Sequence, residues 1–268
     1  MTVRDALSNA RLALSGITEE SRFEAGLLLK HITGLSSALV DSSAELSPEQ
    51  EELLGALLRR RLSREPLQYI LGEWSFYGLD FRVTPAALIP RQDTEILVEE
   101  AIRLIRERGY RSLLDICTGT GCIAAAIAKN TGAAAEASDI SEDCVSLARE
   151  NAERNGVSLT VRRADLFEGA GKYDIITANP PYINAADMRA LQPEVRFEPA
   201  LALAGGEDGL DIYRRIAGEA FDHINNGGAL LLEVGYNEAD AVAELFVGRR
   251  TRAAEDLNGI ERVVIIED

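Results

Sequence analysis

From Arg111 onward, short apolar runs alternate with amphipathic stretches, and this alternation limits the possible folds more than any other feature of the chain. Ser112 to Cys117, Ala133 to Ser138, Ser158 to Arg163 and Tyr173 to Ala178 read as strands, with helices at Gly121 to Lys129 and Ser141 to Asn155. Strands and helices taken in turn build a mostly parallel sheet covered on both faces, the α/β class. Farther on, Asp208 to Ile224 reads as a helix, Gly228 to Val234 as a strand and Arg262 to Glu267 as a last apolar strand.

Residues 1 to about 65 carry a helical pattern only, with periodic apolar positions Leu7, Leu12 and Leu14, then Phe23, Leu27, Leu28 and Ile32. Ser47, Pro48 and Gln50 ahead of Leu53, Leu54, Leu57 and Leu58 predict an N-cap, a first-turn proline, a capping box and an apolar stripe. Tyr77-Gly78 between short extended runs predicts a hairpin. The expected organisation is a helical domain over 1–72, a hairpin linker over 73–84 and an α/β domain over 85–268.

The formal charge is −16, and residues 1–70 hold 8 Lys and Arg against 10 Asp and Glu, so most of the acidity lies in the α/β part. Such a field repels phosphate backbones, and naked nucleic acid is not an expected partner. The only basic cluster, Arg59, Arg60, Arg61 and Arg64, reads as a solvated helix face. No apolar run approaches the roughly 18 residues of a membrane span. Cys117, Cys122 and Cys144 are too few for a disulfide framework and read as small packing residues rather than metal ligands. A cytoplasmic location is expected.

Asp115-Ile116-Cys117-Thr118-Gly119-Thr120-Gly121 follows an apolar strand and opens a helix, the place where an open α/β sheet binds its ligand. Glycines there let backbone approach a ligand closely. Asp139, eighteen residues beyond Gly121, ends the next strand and places two acceptor oxygens where a ribose diol would sit. This much suits a methyl-donor nucleoside or a dinucleotide, although Ala124 stands where the dinucleotide fingerprint usually has its third glycine.

Asn179-Pro180-Pro181-Tyr182 follows the strand ending at Ala178, at the same edge of the sheet. Two prolines fix φ and remove two donors, leaving a rigid turn with free carbonyls. The Asn179 side-chain oxygen and the Pro180 carbonyl can both accept from one planar NH2 group, and Tyr182 can pack against it. An amide nitrogen is a poor nucleophile because its lone pair is delocalised. Fixed acceptors aim it, and they hold it more strongly as positive charge develops. With a sulfonium donor no strong general base is needed, and Asp93, Glu95 and Asp165 are not assigned that role. Asp93 and Glu95 read instead as N-cap and first-turn acid of a helix from Thr94 to Arg108.

With these motifs the chain resembles the peptide chain release factor glutamine methyltransferases. The resemblance also runs through Glu65 to Gly72, Ile89 to Glu95, Phe197-Glu198-Pro199, Gly205 to Leu210 and Asp256 to Arg262. It implies a class I S-adenosylmethionine-dependent methyltransferase domain, Rossmann-like with a mostly parallel seven-stranded sheet, behind a helical domain that helps hold a class I release factor. It implies methylation of the glutamine in that factor's Gly-Gly-Gln motif. Carried over by motif, Cys117, Thr118, Gly119, Thr120, Gly121, Asp139 and Asn179 would surround the donor. Leu166, or failing it Phe167, would lie by the adenine. Asn179, Pro180, Pro181 and Tyr182 would hold the glutamine, with Asn179, Pro180 and Tyr182 as the catalytic members. Two departures stand out: Cys117 replaces a glycine of many members, and Leu166 replaces an aromatic of some. The same Asn-Pro-Pro-Tyr geometry would suit the exocyclic amine of a base, but the acidity and the near-neutral helical segment disfavour that reading. A non-catalytic docking protein would have no use for both an intact donor loop and Asn179, and nicotinamide-dependent oxidoreduction would require NAD binding.

Overall fold

Residues 1–34 and 43–267 are described by the computed structural model, so residues 35–42 of the helix-only stretch lie outside the described part. The chain divides into two compact units, Met1–Gly72 with Gln192–Phe197, and Glu73–Leu191 with the remainder from Glu198.

The first unit holds α1 (Val3–Leu14), α2 (Ser21–Thr33), α3 (Pro48–Leu62) and the short α4 (Leu67–Leu71). Ser47 caps α3 as the sequence predicts: its hydroxyl accepts from Gln50 N, and the Gln50 side chain accepts from Ser47 N. The buried face of α1 is Val3, Ala6, Leu7, Ala10 and Leu14. Leu12, counted in the apolar periodicity, lies two residues or about 200° from Ala10 and Leu14 and is exposed. Phe23 is exposed for the same reason, standing off the line of its helix's buried residues, whereas Leu53 is exposed although it lies one turn before the buried Leu57.

The arginine cluster is only partly the solvated face the sequence suggests: Arg59 and Arg60 are exposed, but Arg61 and Arg64 are not. Arg61 is buried, with Nε and Nη2 on the Glu24 carboxylate and Nη1 on Glu194 at 3.0 Å; Arg64 reaches the second Glu194 oxygen at 2.9 Å. Glu194 comes from the segment Gln192–Phe197, which sequence reading leaves in the α/β domain. A guanidinium withdrawn from water requires carboxylate partners, and here they come from two distant parts of the chain.

The second unit begins with a hairpin, β1 (Glu73–Phe76) and β2 (Leu79–Arg82), closed by Tyr77-Gly78 with φ of 49° and 75°. Two successive positive φ angles are the geometry of a two-residue hairpin turn whose twist matches its strands. Then come α5 (Glu95–Arg108), β3 (Ser112–Ile116), α6 (Cys122–Thr131), β4 (Ala134–Asp139), α7 (Glu142–Arg154), β5 (Leu159–Arg163) and β6 (Tyr173–Ala178). After them follow α8 (Asp211–Glu219), β7 (Ile224–Glu233), α9 (Ala239–Ala243), β8 (Arg250–Glu255) and β9 (Glu261–Glu267).

Seven strands form one sheet in the order β5-β4-β3-β6-β7-β9-β8, parallel from β5 to β7 and antiparallel where β9 joins β7 and β8. Alternate residues face opposite cores: Leu113, Ile175, Leu231 and Ile265 pack under α5 and α6, while Leu114, Ile176, Leu230 and Val264 pack with Tyr213 and Val242 from α8 and α9. From β3 the chain winds outward to β4 and β5, then returns to lay β6 on the other side of β3. The β3/β6 boundary is therefore the switch point, the usual place for a ligand crevice.

Candidate functional site

The loop leaving β3 is braced from beneath. Asp115 is fully buried; its Oδ2 accepts from the Thr118 hydroxyl at 2.6 Å and its Oδ1 from the Thr177 hydroxyl of β6 at 2.7 Å. Burial pushes the Asp115 carboxyl up to about 7, with the two hydroxyls working against that rise and Asp139 adding to it. Thr118 N donates to Ser138 O, Gly119 N to Asp139 Oδ2 at 2.9 Å, and Gly121 N to Thr118 O. Gly121 is required here: its φ is +78°, and a Cβ would lie 2.9 Å from the Ala148 Cβ of α7. Cys117 and Leu166 adopt φ of 56° and 48°, left-handed conformations that cost a side chain about 1–2 kcal/mol each. Both line the cavity described next, in keeping with the tendency of backbone strain to gather at functional sites.

A cavity of about 410 Å³ opens at the switch point, in the size range of small-molecule sites. Cys117, Thr118, Gly119, Thr120, Asp139, Leu166 and Asn179 line it, joined by Pro181. Gly121, Pro180 and Tyr182 are not on its wall, nor is Phe167, which is buried and stacked on the His223 ring with centroids 5.0 Å apart. Asp139, raised in pKa mainly by burial, also accepts from Ser141 N at 2.9 Å. Each of its oxygens thus uses one backbone donor and keeps acceptor capacity for a hydroxyl. Gly121 precedes α6 without a side-chain cap, so the first amides of that helix keep their partial positive charge.

Asn179 leaves the end of β6 half-buried, and its Nδ2 approaches the buried Thr94 hydroxyl at 3.4 Å. The turn is packed from behind by the block Gly205 to Leu210. Ile183 N donates to Leu203 O, and Gly205 N to Ile183 O at 2.9 Å. A Cβ on Gly205 would lie 2.7 Å from the Tyr182 Cα, and one on Gly209 would lie 2.5 Å from the Tyr182 carbonyl oxygen. Burial pushes the Tyr182 phenol up to about 12, so it stays protonated at neutral pH.

Several acids take roles the sequence leaves open. Asp93 is not a helix cap: Thr94 holds the cap position of α5 without a side-chain bond, and Asp93, in the 3-10 turn Gln92–Thr94, pairs with Arg262 at 3.0 Å. The short turn carries its carboxylate to Arg262 at the start of β9 rather than back onto the helix amides. Glu95 is a first-turn acid and also accepts from Tyr77 N at 2.8 Å. Asp165 pairs with Arg215 at 2.9 Å. Arg91 lines the cavity and pairs with the buried Glu198, which also accepts from Ile89 N. Sequence reading also passes over Glu233, a buried acid at the end of β7. The signal was a lone carboxylate closing the apolar run Ala229 to Leu232.

An open sheet in this order, with a glycine turn and an Asn-Pro-Pro-Tyr turn on either side of its switch point, defines a class I methyltransferase. A methyltransferase from Pyrococcus furiosus shares the fold, with a TM-score of 0.54 and 20% identity over 82% of this chain and 98% of that one. The chain belongs to the release factor glutamine methyltransferase family. It is 45% identical over 276 residues to the release factor glutamine methyltransferase of Geobacter sulfurreducens, covering 98% of this chain and 95% of the relative. To that of Koribacter versatilis it is 36% identical over 274 residues, covering 99% and 98%. Residues 5–72 match the family described as PrmC N-terminal domain, and residues 92–195 the one described as methyltransferase small domain.

Proposed function

We propose that this chain transfers a methyl group from S-adenosylmethionine to the side-chain amide nitrogen of the glutamine in the Gly-Gly-Gln motif of class I release factors. The observation that carries this reading is the shared wall: Asn179 and Pro181 border the same cavity as Cys117 to Thr120 and Asp139. The cavity suits the donor on two counts: its size and the hydroxyl-accepting Asp139. Cys117 to Thr120 and Asp139 hold the donor, Gly121 shapes the turn that carries them, and Leu166 lies beside the adenine. When bound, the sulfonium supplies an activated methyl group.

The residues on the other side hold the acceptor. Asn179 Oδ1 and the Pro180 carbonyl, which lies between two wall residues, take one N–H each and set the nitrogen in line with the methyl carbon. Tyr182 packs against the amide plane. Both acceptors attract the amide more strongly as its nitrogen becomes positive, so they act on the transition state more than on the ground state. Asp93, Glu95 and Asp165 are each engaged elsewhere, and proton loss follows transfer. The helical unit recognises the release factor, and the enzyme works in the cytoplasm. Among the described residues no helix is long and apolar enough to cross a membrane.

The test is incubation with release factor and S-adenosylmethionine, followed by mass spectrometry of the Gly-Gly-Gln peptide. One added methyl on the glutamine is the expected result. Label appearing in DNA and not in the release factor would overturn the reading.

A further inference from the structure

A carboxamide is nearly symmetrical in shape but not in hydrogen bonding, so Asn179 can serve an N–H of the substrate only if its oxygen, and not its NH2, faces the cavity. Nothing within the Asn-Pro-Pro-Tyr turn decides between the two orientations. The neighbouring strand does. The last parallel pair of β6 and β7 is Ala178 with Leu232, which sets the next residues, Asn179 and Glu233, side by side. Glu233 is 3% exposed, Asn179 Nδ2 approaches the Thr94 hydroxyl at 3.4 Å, and Thr94 and the Asn179 amide both favour the ionised form of the Glu233 carboxyl. Its Oε2 has no hydrogen-bond partner. The strand end is held in turn: Tyr213 Oη donates to the Glu233 carbonyl at 2.6 Å, and Val234 N donates to Arg262 O.

We propose that Glu233 is a positioning residue for methyl transfer, holding the Asn179 NH2 together with Thr94 so that Asn179 Oδ1 faces the substrate nitrogen. This rests on the reading of Asn179 as an acceptor for the glutamine amide. A carboxylate only accepts, so it takes the NH2 end of Asn179 and repels the oxygen end. Burial pushes the Glu233 carboxyl up to about 7 and Asp93 adds to the rise, while Thr94, Arg262 and Asn179 favour the ionised form, which prevails above that pH. Thr94 alone cannot make the choice, because a hydroxyl rotates to donate or accept. The unpartnered Oε2 gives the Asn179 NH2 a second acceptor to settle on when substrate fixes the other end.

The experiment compares wild type, Glu233→Gln and Glu233→Met in steady-state methylation of release factor, with donor binding by calorimetry and folding by thermal melt. Gln keeps the shape but can hold Asn179 either way round; Met keeps the length and holds neither end. The expected result is a kcat lower by about tenfold in Gln and about a hundredfold in Met. The donor Kd and the KM for release factor should stay within about twofold of wild type in the folded variants, the pattern of an interaction realised in the transition state. Either of two results overturns the proposal: both variants keeping kcat within about twofold, or kcat falling only in step with donor affinity or folded fraction. Should Met fail to fold, the Gln variant decides alone. Wild type that leaves release factor unmethylated would instead defeat the underlying reading, so the two failures are distinguishable.

Discussion

Asn179 and Cys117 face the same cavity and make opposite demands on the chain. On the proposed reading, Asn179 is there for its chemistry. Its replacement by Ala should lower kcat by about a hundredfold to a thousandfold, the cost of one preorganised polar contact to a developing charge. Donor affinity should stay nearly unchanged, so calorimetry beside a turnover assay checks both halves. Cys117 is a poor choice for its backbone. At φ 56° its side chain meets the strain that glycine avoids, and its thiol, raised in pKa by burial, has no nucleophilic role at neutral pH. Cys117→Gly should therefore fold with stability equal to wild type or higher by up to about 1 kcal/mol, the relief of strain being partly offset by a freer unfolded chain. Urea unfolding measures this, and a loss above about 1 kcal/mol would mean that the thiol's packing outweighs the strain.

Between β6 and α8 the chain runs without long regular structure, yet this is where the Asn-Pro-Pro-Tyr turn is fixed. Gly205 and Gly209 are small because Tyr182 backbone occupies the space a Cβ needs. Gly205→Ala should displace the turn, lowering kcat at least tenfold and stability by about 1–3 kcal/mol, as overpacking does. Melting temperature and kcat measured together check it, and unchanged turnover would show that the turn does not depend on this packing. The sheet's inner strands were legible because parallel strands buried on both faces leave apolar runs; β6 begins and ends where its residues predict. β8 was missed because Arg250 to Glu255 is a half-exposed edge strand rich in charge, the composition that protects an edge and hides it from a hydrophobic pattern. The short α9 was missed as well, five residues being too few to show a period. The glycine loop after β3 and the Asn-Pro-Pro-Tyr turn were legible as contiguous motifs, and residues of both line one cavity. Glu233, Thr94 and the Arg61–Glu194 network were not, because each acquires its role from a partner far away in the chain.

Across the whole molecule, a net charge of −16 coexists with two carboxyls buried at the centre of the sheet. Asp115 and Glu233 are both pushed up to about 7, chiefly by burial. A carboxyl whose pKa is higher folded than unfolded holds its proton in the native state over a range where the unfolded chain has lost it. Its contribution to stability is complete below about pH 4 and is lost as pH rises through about 7, with a slope of up to about 1.4 kcal/mol per pH unit for each group. Asp174, Glu100 and Glu194 behave oppositely. Their pKa values are lowered by hydrogen bonds that outweigh burial, so their contribution is present above the ordinary carboxylate range and is lost as pH falls below it. The two sets place maximal stability on the mildly acidic side of neutrality. Wild type should therefore be more stable to urea at pH 5.5 than at pH 7.5. In the double variant Asp115→Asn with Glu233→Gln, neither buried site has a proton to lose, and that difference should shrink while the acid limb below about pH 4 persists. Equal wild-type stability at the two pH values would mean that both carboxyls keep ordinary pKa values in spite of their burial.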